Sequence, residues 1–290
     1  MRNVSAVLLK GVPVLKVVKA ELATRIEKLA AGGVTPGLAT LLVGDDPASA
    51  MYVGMKHKIC DELGITSQDV RLPADATQAQ VEDVVDRLNA DPNIDGYLLQ
   101  HPFPKHLDFE AALLQVDPTK DVDGLHPVNL GRLVQGVAGP RPCTPAGIKA
   151  LLEHYEVPVE GRHVVIVGRG ITVGKPLANL LALKEPGANA AVTLLHTGVA
   201  DIAPYVADAD VVVAAAGSPG IVSKAMVKPG AAVVQTGTTI IDGAYQPDVD
   251  EDVVDVAGWF APVTGSVGPM TRAMLLTNCV TAAERRAANA

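Results

Sequence analysis

A tyrosine and a lysine near residue 50 have the residue types and the spacing for proton chemistry. Tyr52 and Lys56 are four positions apart in a segment whose pattern predicts a helix, so their side chains share a face. A lysine amine can donate or accept a proton at neutral pH if desolvation lowers its pKa, and a tyrosine one turn away can orient it. The same spacing is common on amphipathic surface helices, so the pair needs polar partners to be a catalytic candidate.

Two other polar segments are candidates to join this pair. Gln100 ends an apolar run just before the proline-rich loop His101–Pro104, a position where a ligand-facing side chain is expected. Asp121 and Asp123 lie in an acidic loop between the two halves of the chain. A lysine, a tyrosine, an amide and a carboxylate suit a polar heterocycle better than a metal ion, so no metal site is expected.

A glycine-rich turn marks a second candidate site. A predicted strand at 163–167 is followed by Gly168, Arg169, Gly170 and Gly174, a spacing one residue longer than the usual dinucleotide fingerprint. Gly168 permits a tight turn, and Gly170 lets the backbone approach a phosphate. The N-terminus of the next helix supplies N–H donors and a positive dipole, so this segment predicts a bound dinucleotide.

The end of the following strand bears on which dinucleotide is bound. His196 ends that strand and Thr197 follows it, with no acidic residue for the ribose hydroxyls that NAD-binding proteins usually hold there. Arg169 and Lys175 are nearby cations that favour a 2′-phosphate. We therefore expect NADP, with His196 and Thr197 among the cofactor-binding residues; the alternative is that Arg169 is merely solvated.

Helices and strands alternate along the chain, and these elements must position the candidate residues. Helices are predicted at 14–31, 49–63, 77–89, 109–114, 146–155, 173–183 and 269–287, and strands at 38–43, 65–72, 96–100, 163–167, 191–196, 211–216 and 231–234. Ser49 is the expected N-cap of the second helix and Gly64 its C-terminal stop, while 117–139 is expected to be mostly loop. Apolar strands that alternate with helices indicate parallel sheets covered on both faces.

The fold class expected is α/β with two domains, since 290 residues are enough for two cores. Residues 1–143, joined by a C-terminal helix at about 269–290, form the predicted N-terminal α/β catalytic domain. Residues 144–268 form the predicted Rossmann-type dinucleotide-binding domain, with a cleft between the two.

Composition and charge exclude several classes of protein. The net charge of −8, the absence of a basic cluster and the 3% of aromatic residues argue against a nucleic-acid partner. No stretch approaches the roughly 20 apolar residues of a membrane span, and Met1–Val14 does not resemble a secretory signal. Cys60, Cys143 and Cys279 are far apart and odd in number, which favours a reducing cytoplasm over a disulfide framework or a zinc site.

Several blocks in register carry a family resemblance from about Gly11 to the C-terminus. They are Ser49-x-x-Tyr52-Val53-x-x-Lys56, Lys120-Asp121-Val122-Asp123-Gly124-Leu125-His126-Pro127, Pro142-Cys143-Thr144-Pro145, Gly168-Arg169-Gly170-x-x-Val173-Gly174-x-Pro176 and Gly265-Ser266-Val267-Gly268-Pro269-Met270-Thr271. Together they resemble the signature blocks of the methylenetetrahydrofolate dehydrogenase/methenyltetrahydrofolate cyclohydrolase family.

The resemblance implies a bifunctional, NADP-dependent enzyme and a homodimer formed through the dinucleotide domain. Such an enzyme oxidises 5,10-methylenetetrahydrofolate to 5,10-methenyltetrahydrofolate and then hydrolyses it to 10-formyltetrahydrofolate. Two alternatives on the same scaffold are a monofunctional dehydrogenase, linked to NADP or NAD, and a nucleotide-binding pseudoenzyme.

The resemblance also implies a role for each catalytic candidate. Lys56 is the key catalytic residue, Tyr52 stacks on or orients the substrate, and Gln100 tunes Lys56. Asp123 anchors the pterin, with Asp121 as the alternative anchor.

On the cofactor side, the resemblance implies that Gly168, Arg169 and Gly170 hold the phosphates and that Thr238 contacts the nicotinamide side. Some positions depart from the family pattern: His101 and Thr264 are unusual, Gly170 often is Ser, Gln235 begins a segment that is usually Asp-Val-Gly, and Ser266 usually is Gly. These departures bear on cofactor affinity and on the ratio of the two activities.

Overall fold

The computed structural model describes residues 6–241 and 244–289. The chain divides into two compact units. The first unit comprises Val17–Arg141 and the chain from Arg272 onwards, and the second comprises the chain up to Lys16 and Pro142–Thr271.

Helices and strands alternate as the hydrophobic pattern predicts up to residue 115 and again from residue 163 to residue 214, and two further helices lie between these two stretches. In chain order they are β1 (Val7–Leu8), α1 (Gly11–Ala31), β2 (Gly37–Val43), α2 (Pro47–Leu63), β3 (Thr66–Leu72), α3 (Gln78–Ala90), β4 (Gly96–Gln100), α4 (Phe109–Gln115), α5 (Pro127–Gln135), α6 (Cys143–His154), β5 (His163–Val167), α7 (Gly174–Ala182), β6 (Ala191–Leu195), α8 (Ala203–Asp208), β7 (Val211–Ala214), β8 (Ala232–Gln235), β9 (Thr238–Ile241), β10 (Ala244–Pro247), β11 (Trp259–Ala261) and α9 (Val267–Ala288). Short 3₁₀ helices lie at Lys224–Met226 and Glu251–Asp255.

The sheet of the first unit has three parallel strands in the order β3-β2-β4. Every residue of the central strand β2 is buried, because helices cover both of its faces. On one face, Ala39, Leu41 and Val43 pack in a core cluster that also contains Val81 and Val85 of α3. The carboxyl end of β4, at Gln100, emerges at one edge of this sheet.

The expected N-cap of α2 is wrong by three residues. The side chain of Asp46 caps the helix and accepts the Ser49 backbone N–H at 2.7 Å, and Pro47 occupies the first helical turn. Ser49 is itself buried inside the helix. The expected stop is confirmed, because Gly64 adopts a left-handed conformation with φ of 72°.

The range 117–139, which is expected to be mostly loop, also contains the helix α5, which the sequence pattern does not predict. His126 is its N-cap and accepts the Val128 N–H through Nδ1 at 3.1 Å, with Pro127 at the first position. Gly136 ends the helix with φ of 67°. Histidine is not among the usual capping residues, so the N-cap of α5 is not recognisable from its residue type, and Pro127 is the signal that the sequence offers for the start of this helix.

The second unit contains a six-stranded sheet in the order β1-β11-β8-β7-β5-β6, in which all neighbouring strands are parallel. The strand order reverses direction at β5, which has β6 on one side and β7 on the other. Strands β9 and β10 form a separate antiparallel pair. Over residues 6–241 and 244–289, the helices are too short or too polar to cross a membrane.

Candidate active site

Helix α2 carries the tyrosine and the lysine of the first candidate site. Val53 and Cys60 are fully buried and fix one side of the helix against the sheet. Tyr52 is 43% exposed and Lys56 is half-buried. The helix therefore presents both side chains at the margin of the core, where they are accessible to a ligand.

Lys56 and Gln100 are in direct contact. The Lys56 Nζ donates a hydrogen bond to Gln100 Oε1 at 2.9 Å. The Gln100 Nε2 donates to the backbone carbonyl of His101 at 2.9 Å, which fixes the orientation of the amide. The oxygen of Gln100 therefore faces the amine. His101 is exposed, and its ring packs edge-on against Phe109 at 5.2 Å.

The two carboxylates of the acidic loop lie in different environments. Asp121 is buried: its Oδ1 accepts the Gly124 N–H at 3.0 Å, and its Oδ2 accepts the His126 N–H at 2.8 Å and an Asn129 side-chain N–H at 2.9 Å. These bonds commit the Asp121 carboxylate to holding the loop. Asp123 is half-buried, and both carboxylates line a small hollow whose other walls include Leu99.

A histidine next to the lysine contributes to this site and is not predicted by the sequence pattern. The His57 Nε2 and the hydroxyl of buried Thr40, on β2, form a hydrogen bond of 2.9 Å. Burial is the main cause that lowers the pKa of His57, and the nearby Lys56 lowers it further. The bond ties α2 to the central strand one residue from Lys56. The spacing of Thr40 and His57 in the sequence does not predict this contact.

The residues expected to bind the cofactor gather at one edge of the second unit's sheet. Parallel strands bring their carboxyl ends to the same edge, and a ligand binds where the strand order reverses. That reversal is at β5, which leads into Gly168–Gly170. His196 and Thr197 follow the neighbouring β6, and Thr238 follows β8 on the other side.

The surrounding backbone requires glycine at two of the three glycine positions of this edge. Gly168 has φ of +118°, and a Cβ there would collide with the carbonyl oxygen of Ala215. A Cβ on Gly174 would collide with the carbonyl oxygen of Gly168, so α7 begins in close contact with the end of β5. A Cβ on Gly170 would meet open space. The turn fits a dinucleotide pyrophosphate, because it exposes backbone at the N-terminus of a helix.

The cations and polar residues of this edge are accessible. Arg169, Lys175 and Thr197 are exposed, and Thr238 is exposed at the start of β9. The His196 Nδ1 accepts the Gly198 N–H at 3.0 Å, which fixes the turn after β6. An anionic ligand at this edge would therefore meet side-chain cations as well as backbone donors.

Two of the departures from the family pattern are buried. Gln235 is 2% exposed and Ser266 is fully buried. The Oε1 of Gln235 and the Oγ of Ser266 have no hydrogen-bond partner among the described residues. The Nε2 of Gln235 donates to the carbonyl of Gly237, so this side chain closes on its own loop.

The comparisons with known proteins match both units. The catalytic domain of the tetrahydrofolate dehydrogenase/cyclohydrolase family matches residues 9–123, and its NAD(P)-binding domain matches residues 142–287. The chain belongs to the tetrahydrofolate dehydrogenase/cyclohydrolase family. The "Bifunctional protein FolD 1" of Salinispora tropica is 54% identical over 277 residues, 96% of this chain and 90% of that protein.

Solved structures of the family have the same fold. The bifunctional enzyme FolD of Campylobacter jejuni superposes with a TM-score of 0.92 at 39% identity, covering 97% of this chain and 99% of that one. The Trypanosoma brucei methylenetetrahydrofolate dehydrogenase-cyclohydrolase, complexed with NADP cofactor and inhibitor, gives 0.89 at 38% identity, covering 97% and 98%. The family and the two-domain α/β fold class expected from the motifs are confirmed, and the roles of individual residues stay predictions.

Proposed function

We propose that this chain is a bifunctional enzyme that oxidises 5,10-methylenetetrahydrofolate with NADP and hydrolyses the product to 10-formyltetrahydrofolate. The observation that carries this function is the Lys56–Gln100 hydrogen bond of 2.9 Å within the family's catalytic domain. An amine held by an amide oxygen, beside an accessible tyrosine, suits a reaction that moves protons at a ring nitrogen.

In the oxidation, the methylene bridge loses a hydride with both electrons of its C–H bond and becomes a methenyl cation. NADP, when bound, supplies the hydride acceptor. The chain's residues then have only to orient and hold the folate. Tyr52 offers an aromatic face and a hydroxyl for this purpose on the same side of α2 as Lys56.

In the hydrolysis, water adds to the cationic bridge carbon and loses one proton to solvent. The hydroxyl group that remains loses its own proton as one carbon–nitrogen bond breaks, the released nitrogen takes up a proton, and the carbon is left as a formyl group. Lys56 is the group that we assign to this proton movement. Gln100 orients the amine through its oxygen, because its amide nitrogen is engaged by the carbonyl of His101. Fixed geometry of this kind lowers the barrier without further rearrangement.

Asp123 is the pterin anchor that the local environment favours over Asp121. The buried Asp121 carboxylate accepts three N–H groups of its own loop and its neighbour Asn129, so a ligand would have to displace them. Asp123 is half-buried, so its carboxylate is more accessible to a ligand than that of Asp121, and a carboxylate can bind an amino-pyrimidine edge with two charge-assisted hydrogen bonds.

NADP is the expected cofactor because the carboxyl end of β6 carries His196 and Thr197 and no acid for the ribose hydroxyls. Arg169 is exposed in the glycine turn beside it and offers a guanidinium to a 2′-phosphate. Thr238, at the other side of β5, is the residue that we assign to the nicotinamide end. The cleft expected between the two domains stays a prediction.

We also infer a cytoplasmic homodimer that uses folate derivatives and binds neither nucleic acid nor membrane. The thiols Cys60 and Cys279 are buried, and burial raises the pKa of the Cys60 thiol to about 12, as for core residues in a reducing compartment. The net charge of −8 disfavours binding to nucleic acid and to anionic membrane surfaces. Sedimentation velocity measures the oligomeric state, and cell fractionation measures the compartment.

A spectroscopic assay with methylenetetrahydrofolate, run in parallel with NADP and NAD, tests the proposed function. We expect methenyltetrahydrofolate to form faster with NADP, and added methenyltetrahydrofolate to disappear faster than in buffer alone. Formation without enzyme-dependent decay would indicate the monofunctional dehydrogenase. Tight NADP binding without either reaction would indicate the pseudoenzyme.

A further inference from the structure

The loop that follows β7, residues Ala215–Ser218, borders the glycine turn of the cofactor edge. It leaves the sheet at the same edge as Gly168, because β7 is parallel to β5 and pairs with it. A Cβ on Gly168 would collide with the carbonyl oxygen of Ala215, so the two backbones are in contact. The position of this loop therefore affects the shape of the dinucleotide site.

A buried carboxylate holds this loop from inside. Asp248, just after β10, is fully buried, and its Oδ2 accepts the N–H groups of Ala216 at 2.6 Å and Gly217 at 2.9 Å. Its Oδ1 accepts the N–H of Ser218 at 2.8 Å. Three successive backbone N–H groups that converge on one point form a nest, which is an anion-binding arrangement.

Neighbouring residues are shaped around this carboxylate. A Cβ on Gly237 would collide with Asp248 Oδ2, so the carboxylate can lie there only because residue 237 is glycine. The N–H of Asp248 donates to the carbonyl of Gly237 at 3.2 Å. The hydroxyl of Thr239 donates to the carbonyl of Gly217 at 2.7 Å, which holds the loop from its acceptor side as well.

We propose that Asp248 is a positioning residue for the cofactor. It occupies the nest of residues 216–218, which keeps that loop beside Gly168. It also prevents the loop's N–H groups from competing with the glycine turn for the cofactor phosphates. The inference rests on the proposed NADP-dependent function, because it needs a dinucleotide at this edge. It predicts an effect on cofactor binding that is separate from hydrolysis.

The test measures NADP affinity and cofactor-free hydrolysis in the same variants. Asp248→Asn keeps the size of the side chain but turns an amide N–H towards the loop's donors, so the Kd for NADP should rise by about tenfold or more. Gly237→Ala should act similarly by displacing the carboxylate while keeping its charge. Hydrolysis of added methenyltetrahydrofolate without NADP should stay within about twofold of the unmodified chain.

Asp210→Asn is the matched control. Asp210 accepts the His163 N–H at 3.1 Å and binds Lys228 at 2.8 Å, at the start of β5 and therefore at the opposite edge of the same sheet. Its replacement removes the same charge and should leave the Kd for NADP unchanged. Unchanged NADP affinity in both Asp248→Asn and Gly237→Ala, or an equal loss of hydrolysis and binding, would overturn the positioning role.

Amide hydrogen exchange on the unmodified chain tests the same idea without a variant. If Asp248 organises the loop in advance, the amides of Ala216, Gly217 and Ser218 should exchange slowly before NADP is added. Rapid exchange that becomes slow only with NADP would contradict the inference. If the unmodified chain binds no NADP by calorimetry, the proposed function itself fails and this inference fails with it.

Discussion

At the scale of single residues, the candidate catalytic amine depends on one oriented amide. Gln100 presents its oxygen to Lys56 at 2.9 Å because its nitrogen donates to the carbonyl of His101. A methionine in place of Lys56 would keep most of the side-chain length and remove the amine. Hydrolysis should then fall by about 10²- to 10⁴-fold, the usual contribution of a positioned acid or base.

The rate of oxidation should fall less than the rate of hydrolysis in Lys56→Met, because hydride transfer depends on the orientation of the folate more than on proton movement. Separate assays of methenyltetrahydrofolate formation and decay measure the two effects. Lys58→Met is the control, since Lys58 lies on the same helix and is exposed. Equal hydrolysis by Lys56→Met and Lys58→Met would show that the amine has no part in the reaction.

The residue types of the candidate site could be predicted from the sequence, and their partners only in part. The meeting of Lys56 and Gln100 follows from a helix face and a strand end, which the pattern indicates. The nest around Asp248 could not be predicted, because its partners are backbone N–H groups 30 to 32 positions away. Side-chain type carries no information about such contacts.

At the scale of elements, α2 is held at its start and in its middle. Asp46 caps it, and His57 bonds to Thr40 on the central strand at 2.9 Å. Since Lys56 precedes His57, the second contact also limits the rotation of the helix at the catalytic candidate. A helix with one end capped and its middle tied to the sheet can hold a side chain more firmly than a surface helix can.

The lowered pKa of His57 gives this contact a pH dependence. Desolvation is the main cause; Lys56 and Arg71 add to it, while Asp69 and Asp61 oppose it. In the unfolded chain the pKa of the imidazole returns to its ordinary value of 6.5, so the unfolded state binds the proton more readily than the folded state does. His57 therefore costs no stability above pH 6.5, and stability is lost as the pH falls from there towards the lower folded-state pKa.

Replacing His57 with glutamine removes that titration. The free energy of unfolding of His57→Gln, measured with urea at several pH values, should fall less between pH 7 and pH 5 than that of the unmodified chain. The difference at pH 8, where His57 is neutral in both states, is the internal control and gives the cost of the lost contact. Parallel profiles would mean that the imidazole does not resist protonation.

Long elements with clear periodicity and caps could be predicted, and short or unusually capped ones could not. Helix α3 begins after Thr77, which makes a reciprocal capping box with Gln80, and both features are visible in the sequence. Strands β1 and β11 have two and three residues, too few for any pattern to emerge. They become strands through tertiary pairing, because β11 pairs with the edge of β8 and β1 pairs with the edge of β11.

At the scale of the whole molecule, tryptophan fluorescence can follow the unfolding of the second unit by itself. Trp259 is the single tryptophan of the chain, and it lies half-buried in β11 of the second unit's sheet. Its fluorescence therefore follows the unfolding of the unit that matches the NAD(P)-binding domain. Far-UV circular dichroism follows both units together, which matters because chains with two domains often unfold in more than one step.

NADP should raise the unfolding temperature detected at Trp259. A ligand that binds only the folded state at 100 times its Kd stabilises it by about 2.7 kcal/mol, which corresponds to a shift of about 5–10 °C for a unit of this size. NAD at the same concentration should give a smaller shift, because it lacks the 2′-phosphate that we assign to Arg169.

In the Arg169→Gln variant, the shift caused by NADP should fall to the level that NAD gives. Arg162→Gln should keep the full shift, because Arg162 is exposed just before β5, at the opposite edge of the sheet. Equal shifts with NADP and NAD in the unmodified chain would show that neither Arg169 nor the missing acid after β6 selects the cofactor.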